Sequence, residues 1–161
     1  MPERCFSAQA LIRRDPSDVF AWVADHRNVA KVLEGVSRWE PLGETNRGPG
    51  ARFRVAMQAL GLPLENILVL DSWDEPRAIG WHSESGLIAQ TGGWRFEAEA
   101  GSTRVTLTIR YTPPGGALGG LVAGRADALV RGRLAAALVR MKDILEGSTG
   151  PNHAPEPPAS S

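Results

Sequence analysis

The chain has 161 residues, and its 18 lysines and arginines balance its 18 aspartates and glutamates, so the formal net charge is zero. This balance argues against a nucleic-acid-binding protein, which normally gathers a basic excess on one face. The single cysteine, Cys5, excludes an internal disulfide, and no run approaches the roughly 18 apolar residues of a membrane-spanning helix.

The N-terminal part is predicted to be a strand followed by two short helices. Residues 5–12 alternate between two faces with a period of two, which is typical of a strand. The Asp-Pro pair at 15–16 supplies a cap and a favourable first residue for a helix that ends near Asp25. A second short helix over residues 27–34 is predicted to stop at Gly35.

Six further strands are predicted, separated by short turn-forming segments that favour hairpins and an antiparallel meander. Their predicted bounds are 36–42, 51–60, 64–73, 78–84, 88–99 and 103–112. The strands at 51–60 and 103–112 alternate most clearly, with one polar and one apolar face. Gly92 and Gly93, inside the fifth of these strands, predict a bulge or a sharp bend.

The longest helical pattern covers residues 117–146, where apolar residues recur at spacings of three and four and form one stripe. Gly147 is predicted to stop this helix. Residues 148–161 are rich in proline, serine and alanine and have little to bury, so they are predicted to be disordered. The predicted organisation is one domain over residues 1–147 with a disordered tail.

The order of strand, two short helices, six strands and long helix is the helix-grip arrangement. With this order the chain resembles the START-like (SRPBCC) superfamily, in its polyketide cyclase/dehydrase-like branch. The resemblance is carried by residues 12–20, Asp25, residues 103–105 and 111–116, and residues 141–146. It implies an α+β fold in which a seven-stranded antiparallel sheet wraps around the C-terminal helix and leaves an apolar cavity.

Many members of this superfamily have a tryptophan at the end of the second short helix, where this chain has the sequence Val-Leu-Glu at 32–34. Trp39, on the following strand, could compensate, so the cavity mouth is expected to differ. The superfamily includes lipid carriers, ligand-binding proteins, aromatase/cyclases and chaperone-associated domains. The fold therefore does not select the function.

Apolar side chains on the inner strand faces and at the start of the long helix are predicted to line the cavity. The predicted ligand-binding residues are Phe53, Val55, Met57, Trp81, Trp94, Phe96, Leu107, Ile109, Tyr111, Leu121 and Ala126. Pockets for small ligands are mostly apolar with few polar anchors, which this set would provide. Small residues over 118–128 would leave space between helix and sheet, and the alternative is plain core packing.

Polar candidates are few. Tyr111 either hydrogen-bonds a ligand carbonyl or holds the turn into the long helix, and the second interpretation is favoured. His82 points outward by strand phase, which disfavours it as a general base. Neither His26 nor His82 has a cysteine or carboxylate at ligand spacing, so no metal site is predicted. No cofactor and no catalytic residue are predicted.

The leading hypothesis is a cytoplasmic binding or carrier protein for a lipid-like, isoprenoid or polyketide-like molecule. The first residues, 1–4, lack the apolar core of a signal peptide, in keeping with that location. The expected partner is a small hydrophobic molecule. Neither nucleic-acid binding nor stable membrane insertion is expected, and a homodimer is left as a possibility.

A polyketide aromatase/cyclase or dehydratase with polar cavity residues is the alternative, so enzymatic activity is undecided. A partner-binding domain with a solid core and an exposed apolar patch is a third hypothesis.

Overall fold

Seven strands and three helices make up the part of the chain that a computed structural model describes, residues 3–59, 61–86, 88–112 and 116–153. For residues 116–123 and 148–153 only the backbone is described. The elements in chain order are β1 (Arg4–Ile12), α1 (Pro16–Ala24), α2 (His26–Val32), β2 (Val36–Pro41), β3 (Arg52–Ala59), β4 (Leu62–Asp74), β5 (Ala78–Ser85), β6 (Gln90–Glu99), β7 (Ser102–Tyr111) and α3 (Gly116–His153). Within the described residues, no helix combines the length and the apolar content needed to cross a membrane.

All seven strands form one antiparallel sheet in the order β1-β7-β6-β5-β4-β3-β2. Strands β2 to β7 pair with their neighbours in the sequence, as the short turns predict, and β1 pairs with β7 over its whole length, from Arg4 opposite Tyr111 to Ile12 opposite Thr103. The sheet curls around α3, with α1 and α2 inserted between β1 and β2. The predicted helix-grip fold is confirmed.

The period-two patterns place the apolar faces inward. On β7, Val105 and Leu107 are buried while Arg110 is exposed. At one end of the interior, the inner strand faces pack against α1 and against the C-terminal half of α3. The largest fully buried side chains there include Ile12, Phe20, Phe96, Leu138 and Met141. This packed core fixes α3 across the sheet.

Helix ends differ from the predictions at three places. Asp15 precedes α1 as its N-cap but makes no capping bond with its side chain, whereas Asp25 caps α2 by accepting a hydrogen bond from the backbone N–H of Arg27 (3.0 Å). Helix α2 therefore begins at His26 and ends at Val32, before the predicted stop.

Helix α3 continues through Gly147 to His153, so the predicted stop is wrong. A single glycine costs a helix only about 1 kcal/mol, which its neighbours can offset. Residues 154–161 of the predicted tail lie outside the described residues.

The bulge predicted at Gly92 and Gly93 is not present. Strand β6 keeps a continuous register with β5 and with β7 through both glycines. Register shifts occur instead between β4 and β5, at residues 67–68 and 70–72. Bulges of this kind increase the local twist and help a sheet to curl.

Candidate functional site

The interior between the sheet and the N-terminal half of α3 is hollow. A cavity of about 560 Å³ lies there, bounded by the inner faces of β3 to β7, by α2 and by α3. Its wall is almost entirely apolar. This volume falls within the range of about 300–1,000 Å³ that is typical of small-molecule sites.

The side chains of α3 explain why one end of the interior is filled and the other is not. Towards the C-terminus, Leu134, Leu138 and Met141 reach into the core. Closer to the N-terminus the described helix presents Ala126, Leu129 and Val130 to the cavity. Ala126 is too short to cross to the sheet, so space remains. A partner-binding domain with a solid core, the third hypothesis, does not fit this interior.

Most of the predicted ligand-binding residues lie on the cavity wall. They are Phe53, Val55, Met57, Trp81, Trp94, Leu107, Ile109, Tyr111 and Ala126. Phe96 is a correction: it lies deeper on β6, in the packed core, with its ring edge-on to that of Phe20 (5.6 Å between centroids). The side chain of Leu121 lies outside the described residues. Ligand binding by these residues stays a prediction.

Six polar or charged residues on the wall were not predicted as site residues: His26, Glu34, Asn66, Gln90, Arg125 and Arg133. Strand phase could have placed two of them inside, because Asn66 lies two residues before the inward Leu68 and Gln90 lies four before the inward Trp94. His26 and Arg133 carry no such signal, since the curl of the sheet decides which helix residues meet the cavity.

The indole ring of Trp81, on the cavity wall, lies close to the backbone of Gly92. A Cβ atom added to Gly92 would come within 2.3 Å of Cζ2 of Trp81. The missing side chain, and not a bulge, is therefore what this glycine contributes. Trp39 lies on the wall beside Phe53, with ring centroids 6.3 Å apart, and Leu33 and Glu34, where the resemblance implied a tryptophan, also line the cavity.

Tyr111 closes one side of the cavity and is held by a charged network. Its hydroxyl donates to Oδ1 of Asp127 (2.7 Å), and Nη2 of Arg4 donates to Oδ2 of the same carboxylate (2.6 Å). Burial, and then the hydrogen bond to Asp127, raise the pKa of Tyr111, so the phenol stays protonated and acts as a donor. Because this network ties β1, β7 and α3 together, it supports the structural interpretation of Tyr111.

His82 lies on the outer face of the sheet, as its strand phase predicts. Its Nδ1 atom is 2.7 Å from Oδ2 of Asp71, and both side chains are nearly half exposed. The pair does not line the cavity. Among the described residues, no group of three or more histidine, cysteine, aspartate or glutamate side chains is arranged to hold a metal ion.

His26, the first residue of α2, presents its imidazole to the cavity, with its ring centroid 5.2 Å from that of Phe53. Burial lowers the pKa of His26 from its ordinary value of 6.5, and the attraction of the neighbouring Asp25 only partly offsets this effect. The imidazole is therefore neutral at pH 7. A neutral imidazole can both donate and accept a hydrogen bond.

The free energy of unfolding is expected to fall as the pH drops below 6.5, the ordinary pKa of His26. Just below this value His26 is protonated in the unfolded chain but still neutral in the folded chain, because its pKa is lower there. Acid therefore favours unfolding. His26→Gln should remove this part of the pH dependence, as measured by urea denaturation above and below pH 6.5. The comparison isolates His26, because every other residue is the same in both proteins. An equal fall in the variant would assign the effect to another group.

Comparisons with known proteins agree with this architecture. Among solved structures, the protein TTHA0849 from Thermus thermophilus superposes with a TM-score of 0.79 at 21% identity, covering 91% of this chain and 100% of its own. The Zhui aromatase/cyclase from a Streptomyces species gives a TM-score of 0.69 at 20% identity and covers 93% and 100%. The major latex-like protein 151 of Panax ginseng gives 0.61 at 12% identity and covers 95% and 99%.

Likeness at such low identity reports the fold alone, and none of the curated proteins compared with the chain matches it. The family assignment has a different basis. The sequence profile of the family described as polyketide cyclase / dehydrase and lipid transport matches residues 3–146, which is nearly all of the helix-grip domain. The chain belongs to the polyketide cyclase/dehydrase and lipid transport family.

Proposed function

We propose that this protein binds a small hydrophobic molecule, lipid-like, isoprenoid or polyketide-like, in the cavity between the sheet and α3, and acts as a carrier or binding protein in the cytoplasm. The observation that supports the proposal is the cavity itself, about 560 Å³ with an almost wholly apolar wall. Transfer of an apolar ligand from water into such a site contributes about 25 cal/mol per Å² of buried surface.

The polar groups on the wall are suited to orienting a ligand. His26, Asn66 and Gln90 are spread over α2, β4 and β6, and within the described residues neither carboxamide side chain has a hydrogen-bond partner. Asn66 is also buried. A ligand with oxygen functions would accept hydrogen bonds from these side chains, and each such bond contributes about 0.5–1.5 kcal/mol. These side chains would therefore select among apolar ligands.

The test is binding of N-phenyl-1-naphthylamine, a neutral dye whose fluorescence rises in apolar surroundings. Ala126→Leu should lower its affinity about tenfold, because overpacking of an interior typically costs about 1–3 kcal/mol. Ala128→Leu is the matched control, since Ala128 is exposed on the same helix. The dye should bind this variant as it binds the unmodified protein.

Two results would count against the proposal. One is no saturable binding of the dye to the unmodified protein. The other is the same affinity in Ala126→Leu and Ala128→Leu, which would place the dye outside this cavity.

A polyketide aromatase/cyclase or dehydratase is the second candidate, and the neutral imidazole of His26 on the wall favours it. Aldol closure needs a base that removes a proton next to a carbonyl, and a neutral histidine is suited to this step. Mass spectrometry of the protein with a poly-β-ketone thioester separates the two functions. A carrier returns the ligand unchanged, whereas a cyclase that eliminates water returns a product lighter by one water, and His26→Gln should abolish that loss.

A further inference from the structure

We propose that the natural ligand is an anionic amphiphile, whose acidic head group lies at the end of the cavity where Arg125 and Arg133 are found. This inference rests on the proposed function, because it assigns a polarity to the ligand of the same cavity. Both arginines line the cavity, about 12 Å apart along the axis of α3. Arg133 is held against β3 by the carbonyl oxygen of Gln58, whereas Arg125 makes no hydrogen bond to another described residue and can turn towards a head group bound at Arg133.

The charges at this end of the cavity do not cancel. Glu34 is the only carboxylate among the described wall residues, and it is already paired with Arg140, whose Nη2 donates to Oε2 of Glu34 (2.6 Å). That hydrogen bond lowers the pKa of Glu34 and keeps it ionised. Within the described residues neither Arg125 nor Arg133 has a carboxylate within ion-pair distance. Glu34 also attracts Arg133 electrostatically, so one carboxylate serves Arg125, Arg133 and Arg140 together, and a net positive charge remains beside an apolar wall.

Arg133 is held in place with an unused donor. Its Nη2 donates to the backbone carbonyl oxygen of Gln58 (2.7 Å), which fixes the guanidinium against β3. Its Nε–H is buried and has no acceptor in the described part of the chain. Guanidinium groups form their strongest hydrogen bonds with anionic acceptors, and a pre-positioned group loses less entropy when it binds.

The wall also offers hydrogen-bond donors in excess of acceptors. The indole N–H groups of Trp39 and Trp81 are buried without a partner among the described residues. Together with Arg133 they favour a ligand that carries oxygen acceptors, and they disfavour a cationic or purely hydrocarbon guest. An apolar chain with a terminal carboxylate combines both requirements, because its body fills the cavity and its head meets the arginines.

The experiment compares two guests that differ only in the head group, dodecanoate and 1-dodecanol, as competitors of bound N-phenyl-1-naphthylamine. The measured quantity is the ratio of their affinities. Arg133→Gln should lower the carboxylate-to-alcohol ratio about fivefold, and Arg125→Gln about twofold, the sizes expected for partly solvated ion pairs. Arg131→Gln removes the same charge from the same helix, but Arg131 stacks over Phe6 outside the cavity, and the ratio should not change.

Each outcome has a separate meaning. Failure of the dye to bind the unmodified protein overturns the proposed function. Dye binding together with a ratio that is equal in the unmodified protein and all three variants overturns the anionic head group but leaves the cavity as a binding site. Arg125→Gln keeps the test decisive if Arg133→Gln does not fold, because Arg125 is exposed and makes no hydrogen bond to another described residue.

Discussion

Gly92→Val is expected to reduce the affinity for N-phenyl-1-naphthylamine more than tenfold and to lower the free energy of unfolding by about 1–3 kcal/mol. A Cβ atom at this position would lie 2.3 Å from Cζ2 and 2.7 Å from Cε2 of Trp81, so the indole must leave its place. Strands β5 and β7 flank Gly92 on either side, with Trp81 and Ile109 as its paired residues. Because Trp81 lines the cavity, a displaced indole is expected to occupy part of the cavity volume. The measurements are a dye titration and urea denaturation.

A second substitution separates this mechanism from a general effect of losing a glycine. Trp81→Leu in the Gly92→Val background removes the clash and should recover most of the lost affinity, which a double-mutant cycle reports as coupling between the two sites. Gly132→Ala is the control on α3, where an added Cβ meets no atom within 4 Å. It should leave binding unchanged and stabilise the helix slightly. Additive effects of the Gly92 and Trp81 substitutions would contradict the proposed contact.

The alternation of apolar residues was sufficient to predict the sheet and its inner face. A side chain's direction follows directly from strand phase, so Phe53, Trp94 and Tyr111 could be placed inside from the sequence. The position of a residue along its strand, which decides whether it meets the packed core or the cavity, does not follow from strand phase. Phe96 shares its face with Trp94, yet one lies in the packed core and the other on the cavity wall. Strand phase does not encode where the helix crosses the sheet.

The roles of the glycines and of the helix residues could not be predicted from local sequence patterns. The pair at residues 92–93 signals either a bulge or a close approach, and only the position of Trp81 on the neighbouring strand decides between them. Helix α2 begins one residue earlier than predicted, after the Asp25 cap, and its first residue, His26, packs its ring near that of Phe53 on β3. Both features depend on contacts between segments that are distant in the sequence, which a period of two or of 3.6 residues does not report.

Asp127→Ala is expected to lower the free energy of unfolding by about 2–3 kcal/mol, because it leaves two donors without their acceptor. The Tyr111 hydroxyl is buried and loses a 2.7 Å hydrogen bond. The Arg4 guanidinium loses a 2.6 Å ion pair, which contributes less because the Arg4 side chain is 35% exposed. Urea denaturation at neutral pH measures the difference. The dye should also bind more weakly, since this carboxylate ties α3 to the strands beside the cavity.

The dependence on pH identifies the carboxylate as the cause. Burial works to raise the pKa of Asp127, but the hydrogen bonds from Tyr111 and Arg4 outweigh it and leave the pKa below its ordinary value of 3.8. The folded state therefore binds this proton more weakly than the unfolded chain, so the stabilisation is present above pH 3.8 and is lost as the pH falls further. Asp127→Ala should lack this acid-induced loss.

Tyr111→Phe separates the phenol from the carboxylate. It removes one hydrogen bond but leaves Arg4 paired with Asp127, so its cost should be about 1 kcal/mol, smaller than that of Asp127→Ala. If the two variants unfold at the same urea concentration, the pairing of Arg4 with Asp127 contributes nothing to stability. Near Asp127, the hydrogen bond from the Tyr111 phenol would then be the polar contact that stabilises the packing of α3 against the strands.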